Sequence, residues 1–581
     1  HTYPHFYYLD DQAEAKNGWV AYDLSGKRVR QFLDYALSCD LSWLKPGEST
    51  GTCVHTPAGT VEAALTCVSS YDFRLSVPVF QASLAAAWLR DLSDGYVSLT
   101  KDETDESDLL RKLPGPVVVR ESKATPVQKS CQDEPQMIVR GSEKPYFIGI
   151  PDSSGEALPA FTWHEKEAGL KRTPIYEVHK NLGAKIIPFA GWEMPVWYTS
   201  VVEEHLATRQ SAGLFDVAHM GVYQAEGPEA AAFLDSVVTN DVGGLEEGES
   251  LYTQFLDPDA NVIDDTLVYR SSAEKYLVVV NASNDDKDWT WLNAVKDGLV
   301  LVDKSRRWSK VFGRGAILRN LRDPKEGADM RVDIALQGPK SRDVLLALGT
   351  DEETQKRILR LKRTQLCEAV VGSFDMVVSR TGYTGEKMAF ELFVHPDRSA
   401  ELFQALLKTG EPFGLKPVGL GGRDSLRTEA GLPLYGHEMG AGSGKQGQPD
   451  LGVGEAGFSS YVKTYKPWFI GREAYLSQER ERKGVVARFR FSEKGVRMAH
   501  NGDPVVDKRG RVAGWVTSCA VDREGYLTGQ AYLDLKNSEE GSSIYIYQSA
   551  PNQAGKAPAN LEMGDRVALP TPATVVSRFP K

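Results

Sequence analysis

The chain has 581 residues, enough for about four domains, with 41% hydrophobic and 25% charged residues, a globular balance that needs no metal or disulfide staple. A net charge of −11 argues against general nucleic-acid binding, which needs a basic surface, and no stretch approaches the roughly 20 apolar residues of a membrane span. Six cysteines at low density, none in a Cys-x-x-Cys pair, suit a reducing compartment and argue against a zinc ribbon or a disulfide framework.

The first residues, His1-Thr2-Tyr3-Pro4-His5, form neither a basic n-region nor an apolar h-region, so no signal or transit peptide is expected. Gly141 to Arg172, with Pro145, Pro151, Asp152-Ser153-Ser154-Gly155 and Pro159, reads as a connector. Helical spacing is clear at Gly227–Val238, Pro339–Leu348, Arg398–Lys408 and Gly422–Glu429. Strand patterns occupy Val262–Tyr269, Tyr276–Val280, Met376–Ser379 and Phe390–Val394. Lys304 to Arg331 is irregular and basic, which suits either a solvated insertion or a docking surface for an acidic partner. Gly440 to Gly454, rich in Gly, Ser and Gln, reads as a mobile loop. From about Gly484, short strands dominate (Val485–Phe491, Pro504–Val506, Val512–Thr517, Ser543–Tyr547), the pattern of a small all-β barrel or sandwich.

The chain also repeats itself. A shift of 201 lays Phe32–Val61 over Phe233–Val262 without a gap, and eleven of the thirty positions are identical. Phe32-Leu33-Asp34 falls on Phe233-Leu234-Asp235, Gly47-Glu48-Ser49 on Gly248-Glu249-Ser250, and Pro57 on Pro258. The N-terminal region therefore reads as a second copy of the module that follows it.

In the strand after the turn Leu256–Asn261, Asp265, Leu267 and Tyr269 share one face. A carboxylate and a phenol side by side are poor core residues and reasonable walls for a polar ligand site, although period alone favours two acids at the exposed end of a hairpin. If the offset of 201 continues, Ala63 and Ala64 stand where Asp264 and Asp265 do, and the N-terminal copy lacks both acids. His219 and His437 have no partner cluster, so no metal is expected.

Several ordered motifs resemble the aminomethyltransferase (T-protein) family of the glycine cleavage system, within the wider folate-binding group. They are Pro188-Phe189-Ala190-Gly191-Trp192-Glu193-Met194-Pro195, Phe215-Asp216-Val217-Ala218-His219-Met220-Gly221, Val279-Val280-Asn281-Ala282-Ser283-Asn284, Ala335-Leu336-Gln337-Gly338-Pro339 and Arg380-Thr381-Gly382-Tyr383-Thr384-Gly385-Glu386. Arg423-Asp424-Ser425-Leu426-Arg427-Thr428-Glu429-Ala430-Gly431-Leu432, Leu434-Tyr435-Gly436 and Phe469-Ile470-Gly471-Arg472-Glu473-Ala474 complete the series. The resemblance covers about Thr173 to Lys581.

It implies an α+β, multi-lobed fold around a folate channel with a C-terminal β-barrel, here preceded by a degenerate copy of the first lobe. The corresponding divisions are a copy at 1–140, a linker at 141–172, a catalytic region at 173–480 and a barrel at 481–581. The resemblance implies Asp265 as the catalytic carboxylate near folate N10. It places Met220, Tyr252, Tyr269, Asn281, Tyr383, Glu391 and Arg423 on the folate pocket, with Glu391 toward the pterin. The implied reaction moves an aminomethyl-derived one-carbon unit from the lipoyl group of an H-protein-like carrier to tetrahydrofolate and releases ammonia. A cytoplasmic setting is expected, or the mitochondrial matrix in a eukaryote, with no nucleic-acid or membrane partner.

Two rivals share the fold: a tetrahydrofolate-dependent demethylase with another methyl donor, and a non-catalytic folate-binding factor. Against the second, Lys466-Pro467-Trp468-Phe469-Ile470-Gly471 has no cysteine where such factors carry Lys-Gly-Cys. The chain departs from the family at Ala218, usually serine, at Glu386–Glu391, which is one residue longer, and at the loop Gly440–Gly454.

Overall fold

The computed structural model describes residues 18–97, 99, 111–131, 143–146, 148–149, 155–165, 169–445, 447–548 and 570–579. The N-terminal module contains β1 (Trp19–Ser25), α1 (Val29–Ala36), β2 (Ser49–Thr56), β3 (Gly59–Ser69), β4 (Asp72–Pro78), α2 (Ala82–Ser93) and β5 (Val118–Glu121). Period-two alternation turns Val61, Ala63, Leu65 and Cys67 of β3 to the core and Glu62 and Thr66 to the opposite face. Val29, Phe32, Leu33 and Ala36 form the i, i+3, i+4, i+7 stripe that packs α1 on that core.

A small sheet follows, made of β6 (Lys171–Arg172), β7 (Lys185–Phe189) and β8 (Trp192–Trp197), with α3 (Tyr176–Asn181) inserted after β6. Next come α4 (Val201–Gln210), β9 (Ala212–Asp216), β10 (Gly221–Glu226), α5 (Ala230–Val237), β11 (Glu249–Leu256), β12 (Val262–Ser272), β13 (Lys275–Val280), α6 (Asp285–Asp297) and β14 (Ile317–Asn320). The five-stranded sheet that follows runs β11-β12-β13-β10-β14, the same order as β2-β3-β4-β1-β5 in the N-terminal module. α5 repeats the stripe of α1 with Ala230, Phe233, Leu234 and Val237. Both modules bury these residues in one continuous core, where each fully buried large side chain contributes about 1.5–3 kcal/mol. A buried ion pair, Arg30 Nη1 to Glu229 Oε1 at 2.6 Å, crosses between them.

The repeat extends further than the overlay of Phe32–Val61. Lys144-Pro145-Tyr146-Phe147-Ile148-Gly149 matches Lys466-Pro467-Trp468-Phe469-Ile470-Gly471. Lys144 Nζ donates to the carbonyls of Asp34 and Leu37 at 2.8 and 2.9 Å, and Lys466 Nζ donates to those of Asp235 and Val238 at 2.6 and 2.9 Å. Ile148 N donates to Tyr35 O and Ile470 N to Ser236 O, at 2.9 and 3.1 Å. In both copies the lysine satisfies carbonyls left open at a helix C-terminus. This part of 141–172 is therefore the closing segment of the N-terminal module and not a connector; positions 141–142, 147, 150–154 and 166–168 lie outside the described residues.

The register also corrects the alignment of the acids. Ala21 pairs with Ser76, which pairs with Ala64; Val222 pairs with Val279, which pairs with Leu267. Ala64 is thus the counterpart of Leu267, so Val61 and Glu62, not Ala63 and Ala64, stand where Asp264 and Asp265 do. The cause lies in the hairpin turns. Only Pro57 and Ala58 join Thr56 to Gly59, whereas Asp257–Asn261 join Leu256 to Val262, with a register shift at Phe255/Leu256.

The second lobe contains β15 (Val332–Gln337), α7 (Ser341–Ala347), α8 (Glu352–Arg360), β16 (Leu366–Val371), β17 (Phe374–Ser379), β18 (Ala389–Val394), α9 (Pro396–Gly410), β19 (Leu415–Val418) and α10 (Leu420–Glu429). Its sheet runs β16-β17-β18-β15-β9-β19. After α11 (Arg472–Glu481), a closed barrel of β20 (Gly484–Phe491), β21 (Pro504–Val506), β22 (Val512–Val521), β23 (Leu527–Asp534), β24 (Ser543–Ile546) and β25 (Thr571–Val576) completes the chain, in the order β20-β23-β22-β21-β24-β25. The α+β architecture with a C-terminal barrel is as expected, and β23 and β25 are barrel strands that the sequence reading did not name.

Two loop segments make more internal contacts than their composition suggests. In Gly440–Gly454, Leu451 and Val453 are buried, and the Asp450 carboxylate accepts from Gly442 N and Gly444 N at 2.9 and 3.0 Å; residue 446 lies outside the described residues. The basic stretch Lys304–Arg331 lies partly at the surface, with Lys304 and Arg307 exposed, and partly in the fold, with Val311, Phe312 and Ala316 buried. It contains β14, and four of its charges have acidic partners: Lys304 with Asp259, Lys310 with Glu143, Arg319 with Glu326 and Asp329, and Arg322 with Asp285.

Candidate active site

On β12 the alternation puts Asp265, Leu267 and Tyr269 on one face and Asp264, Thr266 and Val268 on the other. Asp265 is held from both sides: Tyr252 OH donates to Oδ2 at 2.8 Å and Asn281 Nδ2 to Oδ1 at 2.9 Å. Burial, and then the neighbouring Asp264, push the Asp265 carboxyl up to about 7. Asp264 lies inward and fastens the start of the next loop, accepting from Asn281 N at 2.9 Å, Asn281 Nδ2 at 2.8 Å and Asn284 Nδ2 at 2.5 Å. Asp288, beside it, is raised well above the carboxylate range by burial and by Asp264.

Four residues along β12, about 13 Å at strand rise, lies Tyr269. Its phenol donates to Glu391 Oε2 at 2.7 Å, and Thr381 Oγ1 donates to the same oxygen. Glu391 sits on β18 opposite Ala335 and Ser379, so the longer stretch before it leaves its side chain facing the first sheet. Oε1 of Glu391 makes no hydrogen bond to a described residue.

Arg423, on α10, lies over the Tyr383 ring at 5.0 Å, and its guanidinium makes no hydrogen bond or ion pair with a described residue. The Tyr383 phenol donates to Pro433 O. Burial, opposed by Arg427 and reinforced by Asp265, holds the Tyr383 phenol above its usual range, which places Tyr383 within electrostatic reach of the Asp265 carboxylate. Met220 packs against both the cluster of Tyr269 and Phe393 and that of Ala335 and Leu426. The eight site residues read from the sequence therefore gather where the two sheets and α10 meet.

Others were missed. Asp333 is buried on β15, and Oδ1 has no hydrogen-bond partner among the described residues. Burial and Glu391, opposed by Arg423, raise its carboxyl far above the usual range. An acid inside Val332-Asp333-Ile334-Ala335-Leu336 was the available signal. Asp216 anchors the loop to Met220: its carboxylate accepts from Thr173 Oγ1 at 2.6 Å and from Ala218 N at 2.9 Å, and pairs with His179 Nε2 at 2.7 Å. His219 is buried against Phe189, and burial pulls its pKa down to about 3, so its ring is neutral at pH 7.

Residues 175–444 match the family model of the GCVT N-terminal domain. The chain is 39% identical over 352 residues to an aminomethyltransferase of Desulfitobacterium hafniense (strain DSM 10664 / DCB-2), covering 60% of this chain and 86% of that protein. The chain belongs to the aminomethyltransferase (T-protein) family. An aminomethyltransferase of Halothermothrix orenii is 37% identical over 381 residues, covering 65% of this chain and 95% of its own. Among solved structures, glycine cleavage system aminomethyltransferase T from Bartonella henselae matches with a TM-score of 0.56 at 27% identity, covering 70% of this chain and 97% of that one. The T-protein family model begins after the N-terminal module, so that module is an addition to the matched region.

Proposed function

We propose that this T-protein family member transfers a one-carbon unit, carried as an aminomethyl group on the lipoyl arm of a carrier protein, to tetrahydrofolate. The products are 5,10-methylenetetrahydrofolate, ammonia and the dihydrolipoyl carrier. The observation that carries the reading is Asp265, a carboxylate fixed by Tyr252 and Asn281 and raised to about 7, on the same strand face as the Tyr269–Glu391 pair.

The residues fit a folate on their own chemistry. A pterin offers a ring N–H and an amino group side by side, and Glu391 Oε1 is open to accept from them. The glutamate tail is anionic, and the Arg423 guanidinium forms no ion pair with a described residue. Asp265 is too weak a base to deprotonate a neutral amine outright. Its role is to orient the attacking amine, stabilise the positive charge that develops as the methylene moves, and take a proton after attack. Holding two large substrates in one place supplies much of the remaining rate.

The test is titration of (6S)-tetrahydrofolate into wild type and Asp265→Asn, with ammonia release from an aminomethyl-lipoyl carrier measured in parallel. Binding by both with release lost only in the variant supports the reading. Binding without release by wild type removes the lipoyl donor, and absence of binding removes the folate.

A further inference from the structure

The sheet face that carries Tyr252 and Asp265 in the catalytic copy has a counterpart in the N-terminal copy, and there the chain covers it with its own backbone. By strand register Gly51 corresponds to Tyr252 and Glu62 to Asp265. After β5 the chain crosses this face. Val127 N donates to Ser76 Oγ at 3.0 Å, Lys129 Nζ to Ser49 O at 2.7 Å, and Ser130 Oγ to Glu62 Oε2 at 3.1 Å. A Cβ at Gly51 would collide with the Ser130 carbonyl, so the segment fits only because Gly51 has no side chain where the catalytic copy has a tyrosine.

The segment ends at Cys131, whose Sγ lies 2.7 Å from Sγ of Cys53, two residues beyond Gly51 on the same face of β2. Hydrogen bonds on Val127, Lys129 and Ser130 hold the approach of Cys131 in place, so closing the sulfurs to about 2.05 Å requires little movement. We propose that Cys53 and Cys131 form a disulfide that seals residues 122–131 over the N-terminal copy's counterpart of the active-site face.

With glutathione disulfide as oxidant the chemistry balances. One protein thiolate attacks a glutathione sulfur and expels the first glutathione; the second protein thiolate displaces the other. The Cys53–Cys131 bond forms, the glutathione S–S bond breaks, and the two thiol protons end on two reduced glutathiones. Burial and the neighbouring Cys131 thiol push the Cys53 thiol up to about 12, so exchange is slow while the segment is seated.

The test uses the full chain, incubated with glutathione disulfide at about pH 8, alkylated, digested without reduction and mapped by mass spectrometry. The expected result is a Cys53–Cys131 linked peptide that dithiothreitol removes, together with a higher thermal midpoint for the oxidised than for the reduced protein. Cys131→Ser and, separately, Cys53→Ser lose both signals while keeping the wild-type circular dichroism. Recovery of both cysteines as alkylated thiols or only as glutathione adducts, or a linked peptide with no rise in midpoint, overturns the proposal.

Discussion

Tyr269 of β12 and Glu391 of β18 meet in a 2.7 Å hydrogen bond that joins the first sheet of the catalytic region to the second. Neither residue has a neighbour in sequence that calls for the other. The bond turns two separate strand faces into one wall and leaves the second oxygen of Glu391 available.

Tyr269→Phe removes the phenol donor while Thr381 still holds Glu391. A hydrogen bond to a charged group is worth about 1.5–3 kcal/mol, so denaturant unfolding should register a loss within that range. Glu391→Gln is expected to weaken tetrahydrofolate binding about ten- to a hundredfold in calorimetric titration. Unchanged affinity would detach Glu391 from the ligand.

Asp265 sets a pH dependence. Its carboxyl stands at about 7, above the ordinary 3.8. The ionised form is the one proposed to act, so kcat/KM should rise with pH through about 7 and then level off. The linkage has the opposite sign for stability. The folded state holds the proton more tightly than the unfolded chain, so stability is lost as pH rises from the unfolded to the folded value. Asp265→Asn should therefore gain in thermal midpoint relative to wild type as pH is raised across that window. A pH-independent difference would contradict the shift.

Arg423→Ala tests the anionic tail. The Arg423 guanidinium makes no hydrogen bond or ion pair with a described residue and lies over the Tyr383 ring, so the thermal midpoint should fall only slightly. Affinity for tetrahydrofolate should fall about ten- to a hundredfold. A large loss of stability with unchanged affinity would make Arg423 a structural residue.

Arg30→Ala tests the bond between the two copies. It strips Glu229 of its partner in a site where the two side chains are only 7% and 3% exposed. Leaving a buried charge alone costs about 3–5 kcal/mol, read by chemical denaturation. Adding Glu229→Gln should recover part of that loss, and a strictly additive double variant would show that the two residues do not couple.

By itself the sequence determined what is local or linear. The spacing over Gly227–Val238 announces one helix, and Phe32-Leu33-Asp34 falling on Phe233-Leu234-Asp235 announces the duplication. The alternation through Asp265, Leu267 and Tyr269 announces a strand with one polar face, and the order of motifs from Pro188 to Ala474 announces the family. Only the tertiary structure decided which residues meet: Asp265 with Tyr252 and Asn281, Glu391 with Tyr269, Lys144 with the carbonyls of α1, and Cys53 with Cys131. The mismatch of Ala64 with Asp265 has the same origin. A two-residue difference in a hairpin returns every side chain to the face it had, so hydrophobic alternation is blind to it. Pairing across the sheet is not, and that is what assigns Glu62 to the place of Asp265.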